Sequence, residues 1–445
     1  MAGRSSPTTV STKLQKIATL AREEPQRVLT TLAHHIDVDF LREAYRRTRK
    51  DGAPGVDGQT AAEYAEDLES NLQSLLDRLK SGTYVAPPVR RADVPKEEAG
   101  ESRPIGIPTF EDKVLHRAIA MILEAVYEQD FLDASYGFRP GRSAHQALQS
   151  LWEQLMRMHG GWVIKVDIKR YFDTLPHNHL RSFLDQRVRD GVIRRVIDKW
   201  LKAGVLEEER VSVSDAGVPQ GSGVAPILSN VFLHQVFDRW FEHEVQPRLR
   251  GKAIFYRFAD DIAVVCATEK DAHRIMAVLS KRFGKYGLTL HPDKTRVLGF
   301  RRPPVRSLGE WDQRLAGPES FDLLGFTHYW GRSRRGQWVI KRKTATGRLS
   351  RALKRINTWC RRYRHAPVVW QHQQLVQKLR GHYAYYGMVG NDRGLKHFRY
   401  GVRQRWQKWL NRRSQRSGMT WDRFACLLER YPLPNTRIVH GAPSA

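Results

Sequence analysis

Asp260 and Asp261 stand side by side in "YRFADDIAVV" (256–265), an otherwise apolar run with the composition of a strand. Two adjacent carboxylates repel each other, and neither can be buried unpaired without a large penalty. Neighbouring side chains in a flat strand point to opposite faces, so the pair can serve one cleft only from a bend. The β-rich runs "AIFYRF" and "IAVVCA" on either side predict such a bend, a hairpin turning at "ADD". Divalent cations would relieve the repulsion, and magnesium takes hard oxygen ligands, often one or two carboxylates plus phosphates. A third carboxylate is available in "VIKVDIKRYFD" (163–173), where Asp167 ends another apolar run. Three acids from two strand ends could seat two Mg2+ ions about 3.5–4 Å apart, one beside an attacking 3′-hydroxyl and one beside a leaving pyrophosphate. Aspartate is also common in solvated turns, so the pair alone says little. Asp167 in a matching context is what lifts it above that reading.

The elements around these acids are legible in outline. Residues 11–50 show helical spacing (Leu14, Ile17, Leu20, Val28, Leu32), and "DGAPGVDG" (51–58) is a loop. "AAEYAEDLESNLQSLLDRLKSG" predicts one amphipathic helix closed by Gly82. "PPVRRADVPK" and "RPIGIP" bracket a short hairpin, and "TFEDKVLHRAIAMILEAVYEQDF" predicts a helix. Residues 178–203 read as helical, "GVPQGSGVAP" as a loop, and "ILSNVFLHQVFDRWF" as a helix. After the acids come a helix over 270–286 and a strand pair in "LTLHPDKTRVLGF". "RRPPVRSLGEWDQRLAGPES" (301–320) has the composition of a linker. Beyond "FDLLGFTHYW" the chain turns basic and helical, with helices expected over 346–364, 368–387 and 395–413.

At 445 residues the chain is too long for one ordinary core, and its 41% hydrophobic content can fill two or three. No apolar run approaches the roughly 18 residues of a membrane span. Cys266, Cys360 and Cys426 are far apart, which argues against zinc modules and disulfide frameworks and fits a reducing compartment. The acid-poor N-terminus weakly resembles an organellar transit peptide; a helical extension and a bacterial cytoplasmic protein are expected instead. The net charge of +28 is unevenly spread: residues 331–445 hold 27 Lys/Arg against three acids, and residues 1–330 hold 48 against 44. A near-neutral body with a basic end fits a nucleic-acid partner. In "GRLSRALKRINTWCRRYRH", Leu349, Leu353, Ile356 and Trp359 form one helical stripe, leaving the cations on the other face.

Five blocks, "SYGFRPGRSAHQAL", "VIKVDIKRYFDTLPH", "GVPQGSGVAPILSN", "YRFADDIAVV" and "LTLHPDKTRVLGF", follow in the order of reverse-transcriptase motifs. "DGAPGVDG" resembles the N-terminal block of group II intron-encoded reverse transcriptases, and residues 321–440 resemble the maturase-specific thumb of that family. The resemblance implies an α+β right-hand polymerase: an N-terminal helical extension over 1–50, fingers and palm over 51–320, and a basic helical thumb over 321–445. It implies an RNA-directed DNA polymerase that takes dNTPs, a DNA primer and an RNA template. As a maturase it would also bind its parent group II intron RNA.

Residue by residue, the resemblance makes Asp167, Asp260 and Asp261 the catalytic carboxylates, with the Ile168 carbonyl as an additional metal ligand. Phe172 would collide with a ribose 2′-hydroxyl and so favour dNTPs. Gln220 and Gly221 would lie under the incoming base pair, Lys96 and Arg103 would clamp the triphosphate, and Lys294 would protonate pyrophosphate. Arg139 and Arg142 would contact the template backbone. On the thumb, Lys354, Arg355, Arg361 and Arg362 would grip phosphates. The departures are small: Ser222 and Ala225 replace the usual Gly and Ser, and Phe258 replaces a common Tyr. Many relatives continue into a DNA-binding segment and a nuclease domain where this chain stops, so it is expected not to nick its own target. Three alternatives stay open on sequence: an RNA-binding splicing factor with an inactive palm, an RNA-directed RNA polymerase, and a domesticated enzyme with no intron.

Overall fold

The computed structural model describes residues 7–95, 102–207, 210–212, 215–218, 221–303, 319–414 and 418–441. The helices are α1 (Pro7–Glu23), α2 (Val38–Arg47), α3 (Ala61–Glu66), α4 (Leu68–Ser81), α5 (Phe110–Tyr127), α6 (Ala144–Arg157), α7 (Tyr171–Thr174) and α8 (His177–Asp185). They continue with α9 (Gly191–Lys202), α10 (Ala225–Leu233), α11 (Glu269–Lys285), α12 (Thr346–Arg362), α13 (Val368–Tyr386), α14 (Asp392–Asn411) and α15 (Trp421–Arg430). The strands are β1 (Val89–Pro95), β2 (Ser102–Ile107), β3 (Gly160–Val166), β4 (Val205–Glu207), β5 (Arg210–Ser212) and β6 (Ala253–Phe258). After them come β7 (Asp261–Cys266), β8 (Arg296–Arg301), β9 (Phe321–Leu323), β10 (Phe326–Arg332) and β11 (Trp338–Thr344). This is the expected α+β class.

The chain divides into two compact units, residues 1–147 with 164–297 and residues 148–163 with 298–445. The N-terminal 50 residues thus belong to the first unit. α1 and α2 pack on α5 and bury Ile17, Ala21, Phe40 and Leu41. The 61–82 segment is two helices, because Asp67 leaves helical geometry (φ −117°, ψ 42°). Thr60 and Glu63 form a capping box at the start of α3, and Gly82 closes α4 in the left-handed conformation at φ 81°.

Two four-stranded sheets have the orders β2–β1–β4–β5 and β6–β7–β3–β8. In the first, β1 and β2 form the expected hairpin, with Val94 opposite Arg103; its tip, 96–101, lies outside the described residues. In the second, one face of β6 is anchored by aromatic rings. Phe255 meets Phe237 at 5.1 Å and Phe241 at 5.3 Å, both nearly edge-on. Those two rings come from the continuation of α10, which runs on in π-helical turns at His234–Asp238 and Phe241–Val245. "LTLHPDKTRVLGF" is one strand rather than two: its first half makes only the isolated bridge between Leu290 and Ile168.

In the second unit, β9, β10 and β11 form an antiparallel three-stranded sheet where sequence patterning predicts a transition to helix. Helices α12, α13 and α14 follow at the expected places, with α15 beyond them. Their core includes Leu353, Ile356, Leu379, Val402, Trp406 and Phe424, and Leu349 and Trp359 pack partly buried against it. The apolar stripe of α12 therefore docks as expected. Most of the 301–320 linker candidate, residues 304–318, lies outside the described residues.

Candidate active site

β6 and β7 pair antiparallel in a register that sets Phe258 opposite Asp261, so Ala259 and Asp260 are the two turn residues. The carboxylates therefore sit at a hairpin tip, as the alternation argument requires. Ala259 has φ 56°, a conformation that two-residue hairpin turns demand and that glycine ordinarily supplies. Asp260 is half-buried and Asp261 exposed.

Behind the tip lies a fully buried polar network. The Arg257 guanidinium donates to both carboxylate oxygens of Asp238 (2.8 and 2.6 Å), to Asn230 Oδ1 (2.8 Å) and to the Ala259 carbonyl (3.3 Å). Burial raises the Asp238 pKa, but the Arg257 charge overcomes this and holds the carboxyl below its ordinary value. A buried ion pair of this kind is tolerated when its donors are satisfied. Here the same guanidinium also holds the carbonyl next to Asp260, so the charge pair sets the shape of the turn.

Asp167 follows β3 directly. Its backbone N–H donates to Thr295 Oγ1 (3.2 Å), and its carbonyl accepts from the His291 N–H (2.8 Å). Both bonds fix the backbone from which the half-buried side chain projects. β3 lies beside β7, which begins at Asp261. The charge of Asp260 also reaches the Tyr171 phenol, four residues beyond Asp167. Burial is the main cause that raises that phenol's pKa, and Asp260 adds to it. These two observations set Asp260 near the segment that follows β3.

Among the described residues, no three acidic, imidazole or thiol side chains form a cluster that could hold a metal by itself. Asp167, Asp260 and Asp261 offer hard oxygen atoms alone, which suits magnesium. That ion is ordinarily held by one or two carboxylates, with substrate phosphates and water completing its shell. The residues present fit such an ion.

The other expected site residues fall out unevenly. Phe172 is half-buried beside Tyr171, ring centroids 5.3 Å apart. Gly221 has φ 115°, and a Cβ there would lie 2.5 Å from the Gly106 carbonyl of β2, so glycine is needed here for close packing of the backbone against the first sheet. Ile168 is buried and bridges Leu290. Lys294 is exposed in the turn before Thr295. Lys96 and Gln220 lie outside the described residues, and Arg103 is placed only as a backbone position in β2.

Arg139 requires a correction. Its side chain is buried, and its guanidinium bonds both Glu128 oxygens and the carbonyls of Leu132 and Ser135 (2.7–3.1 Å). Those donors are engaged inside the unit, where the Arg139 guanidinium holds a loop and is not presented to solvent as a backbone contact would require. Arg142 is more exposed, pairs with Asp133 and lies 5.6 Å from the Tyr136 ring.

In the second unit, Lys354, Arg355, Arg361 and Arg362 are all exposed on α12. A groove of about 430 Å3 between α12 and α14 is lined by Ser350, Lys354, Asn357, Gln404, Arg405 and Lys408, with no acid among them.

Sequence reasoning passed over Arg257, Asp238, Asn230 and Thr295. Arg257 carried a usable signal, since a cation inside "AIFYRF" must find a buried partner. Nothing in the local pattern named Asp238, 19 residues earlier.

Residues 94–328 match the family described as reverse transcriptase (RNA-dependent DNA polymerase), more than half of the chain. Among curated proteins, Protein YkfC of Escherichia coli is 34% identical over 325 residues, covering 65% of this chain and 84% of the relative. The group II intron-encoded protein LtrA of Lactococcus lactis is 33% identical over 255 residues, covering 53% of this chain and 41% of LtrA. An uncharacterized 91 kDa protein in the cob intron of Schizosaccharomyces pombe is 30% identical over 290 residues, covering 54% of this chain and 35% of the relative. The chain thus spans most of the first relative and less than half of the other two.

Proposed function

The chain belongs to the reverse transcriptase family, and we propose that it is of the group II intron-encoded branch and copies RNA into DNA with two magnesium ions held by Asp167, Asp260 and Asp261. The observation that carries this reading is the pairing of β7, which opens with Asp261, beside β3, which leads into Asp167. Magnesium, when bound, supplies positive charge to the phosphates and acidity to the primer 3′-hydroxyl.

The chain's own residues do the positioning. Thr295 and His291 hold the Asp167 backbone, and Arg257 holds the turn that presents Asp260. The carboxylates then meet the reactants with little reorganisation. The Phe172 ring would meet a ribose 2′-hydroxyl and reject rNTPs. Gly221 would keep the backbone low beneath the incoming pair. Lys96, Arg103 and Lys294 would serve the triphosphate, since phosphate recognition favours such cations. The exposed cations of α12 would grip phosphates of the primer–template duplex or of folded intron RNA. In the maturase role the protein would contribute binding energy alone and leave splicing chemistry to the RNA.

Primer extension on an RNA template with dNTPs and magnesium tests the reading. Wild type should extend, and Asp260→Ala should lose roughly a thousandfold or more, the scale of several kcal/mol of lost transition-state stabilisation, while still binding RNA. Extension by Asp260→Ala at the wild-type rate would remove the carboxylates from the mechanism.

A further inference from the structure

Three of the five non-glycine residues with left-handed backbone among the described residues surround this site: Phe138 (φ 58°), Arg170 (φ 49°) and Ala259 (φ 56°). Left-handed geometry is unfavourable for any residue with a Cβ, and such strain collects where function demands it. Ala259 is a hairpin turn residue and Arg170 precedes the first residue of α7. Phe138 is harder to explain from folding. A glycine at 138 would make the same turn without strain, yet the chain places a large ring there and leaves it 50% exposed. Among the described residues the aromatic ring beside it is Phe258, 6.4 Å away and tilted by 42°.

The position of that ring is rigidly tied to the catalytic hairpin. Arg257 N–H donates to the Ala134 carbonyl (2.9 Å), and Tyr136 N–H donates to the Arg257 carbonyl (2.8 Å), so residues 134–136 lie along the free edge of β6. Asn230 Nδ2 donates to the Gly137 carbonyl (2.7 Å), and Asn230 Oδ1 accepts from Arg257. Gly137 permits the contact, because a Cβ there would lie 2.1 Å from the Ala259 nitrogen. One buried network therefore anchors both the Asp260 turn and the base of Phe138.

Building on the proposed polymerase reading, we infer that Phe138 is a stacking platform for the nucleobase at the primer 3′ end. The ring adjoins Phe258, two residues before Asp260, and the base nearest the acids is the one whose sugar carries the reacting hydroxyl. An exposed aromatic face accepts any base, which suits a polymerase that must extend every terminus. The strain and the exposed apolar surface are repaid when that base covers the ring.

Equilibrium binding of the full chain to two primer–template duplexes tests this, one with a normal primer 3′-terminal nucleotide and one with an abasic terminus. Phe138→Ala should weaken binding to the normal duplex roughly 5- to 150-fold, the range of one lost base–aromatic stack, and leave the abasic duplex unchanged. Phe138→Trp should restore the discrimination. Phe138→Gly should lose the same affinity without lowering the thermal midpoint, because it removes a strained, half-exposed residue. Equal losses on both duplexes, no loss on either, or a lowered midpoint for Phe138→Gly would overturn the inference. Primer extension by the wild type separates the two levels. If wild type extends and Phe138→Ala binds like it, the platform alone is wrong; if wild type does not extend, the platform falls together with the polymerase reading.

Discussion

In the first unit, Arg139, Arg187 and Arg257 are 7%, 5% and 0% exposed, and each is bonded on several sides. Arg187 pairs with Asp130 and donates to the carbonyls of Ala21, Glu24 and Arg27. In the second unit, Lys354, Arg355, Arg361 and Arg362 stand exposed along α12, in a segment where 27 Lys/Arg face three acids. A guanidinium has five donors and keeps its charge in proteins, so burying one requires partners on every side. The buried arginines have spent their donors on loops and turns. The cations of α12 have their charge in water, where phosphates can displace counterions. The lesson is that a basic residue in a family motif locates a binding surface only if its donors remain available, and Arg139 fails that test.

The sharpest way to break this contrast is Arg257→Met. It takes from buried Asp238 its guanidinium partner and leaves His234 Nδ1, 3.7 Å away, as the neighbouring imidazole, and the expected loss is about 3–5 kcal/mol of stability in chemical denaturation. Replacing both partners with apolar residues, Arg257→Met with Asp238→Leu, should recover much of that, because no orphaned charge remains. A loss near zero for the single variant would mean that the buried arginine is no more structural than those on α12.

Asp112 sharpens the contrast from the acidic side. It is buried, accepts a hydrogen bond from the Tyr84 hydroxyl, and burial pushes its pKa up to about 7 against that bond. Between the ordinary carboxylate value and about 7, the folded chain holds a proton that the unfolded chain has released. Its contribution to stability is therefore full below about pH 4 and falls as pH rises to about 7, by up to about 4 kcal/mol. Urea titrations at about pH 5 and about pH 8 should show wild type weaker at the higher pH, and Asp112→Asn should lack that slope. A flat wild-type profile would show that the carboxyl is charged throughout.

The smallest effect on folding should come from changing Lys354, Arg355, Arg361 and Arg362 together to Gln. Their exposure predicts an unchanged thermal midpoint. RNA affinity should fall roughly 10- to 100-fold at low salt, and the slope of log affinity against log salt should drop by about 3, one released counterion per lost phosphate contact. An unchanged slope would place the RNA elsewhere on the molecule.

Much of this molecule was readable along the chain because its signals are local. The hairpin at Asp260–Asp261 follows from two β-rich runs and a turn, and the stripe of α12 follows from one helical period. The three-stranded sheet of β9–β11 was missed because β9 is three residues long and β11 carries Lys341, Arg342 and Lys343 in succession, so its alternation is masked by charge. The break between α3 and α4 rests on the geometry of a single residue, Asp67, within an otherwise continuous helical pattern.

By itself, the sequence determined the set of chemical groups: three carboxylates in strand-end contexts, the motif order that names the family, and a basic helical end. Only the tertiary structure decided which charges are consumed. Arg257 meets Asp238 and Asn230 from 19 and 27 residues away, and Arg139 meets Glu128 across a turn. Such pairings depend on how helices and sheets pack in three dimensions. A charge pattern read in one dimension carries no record of desolvation or of distance.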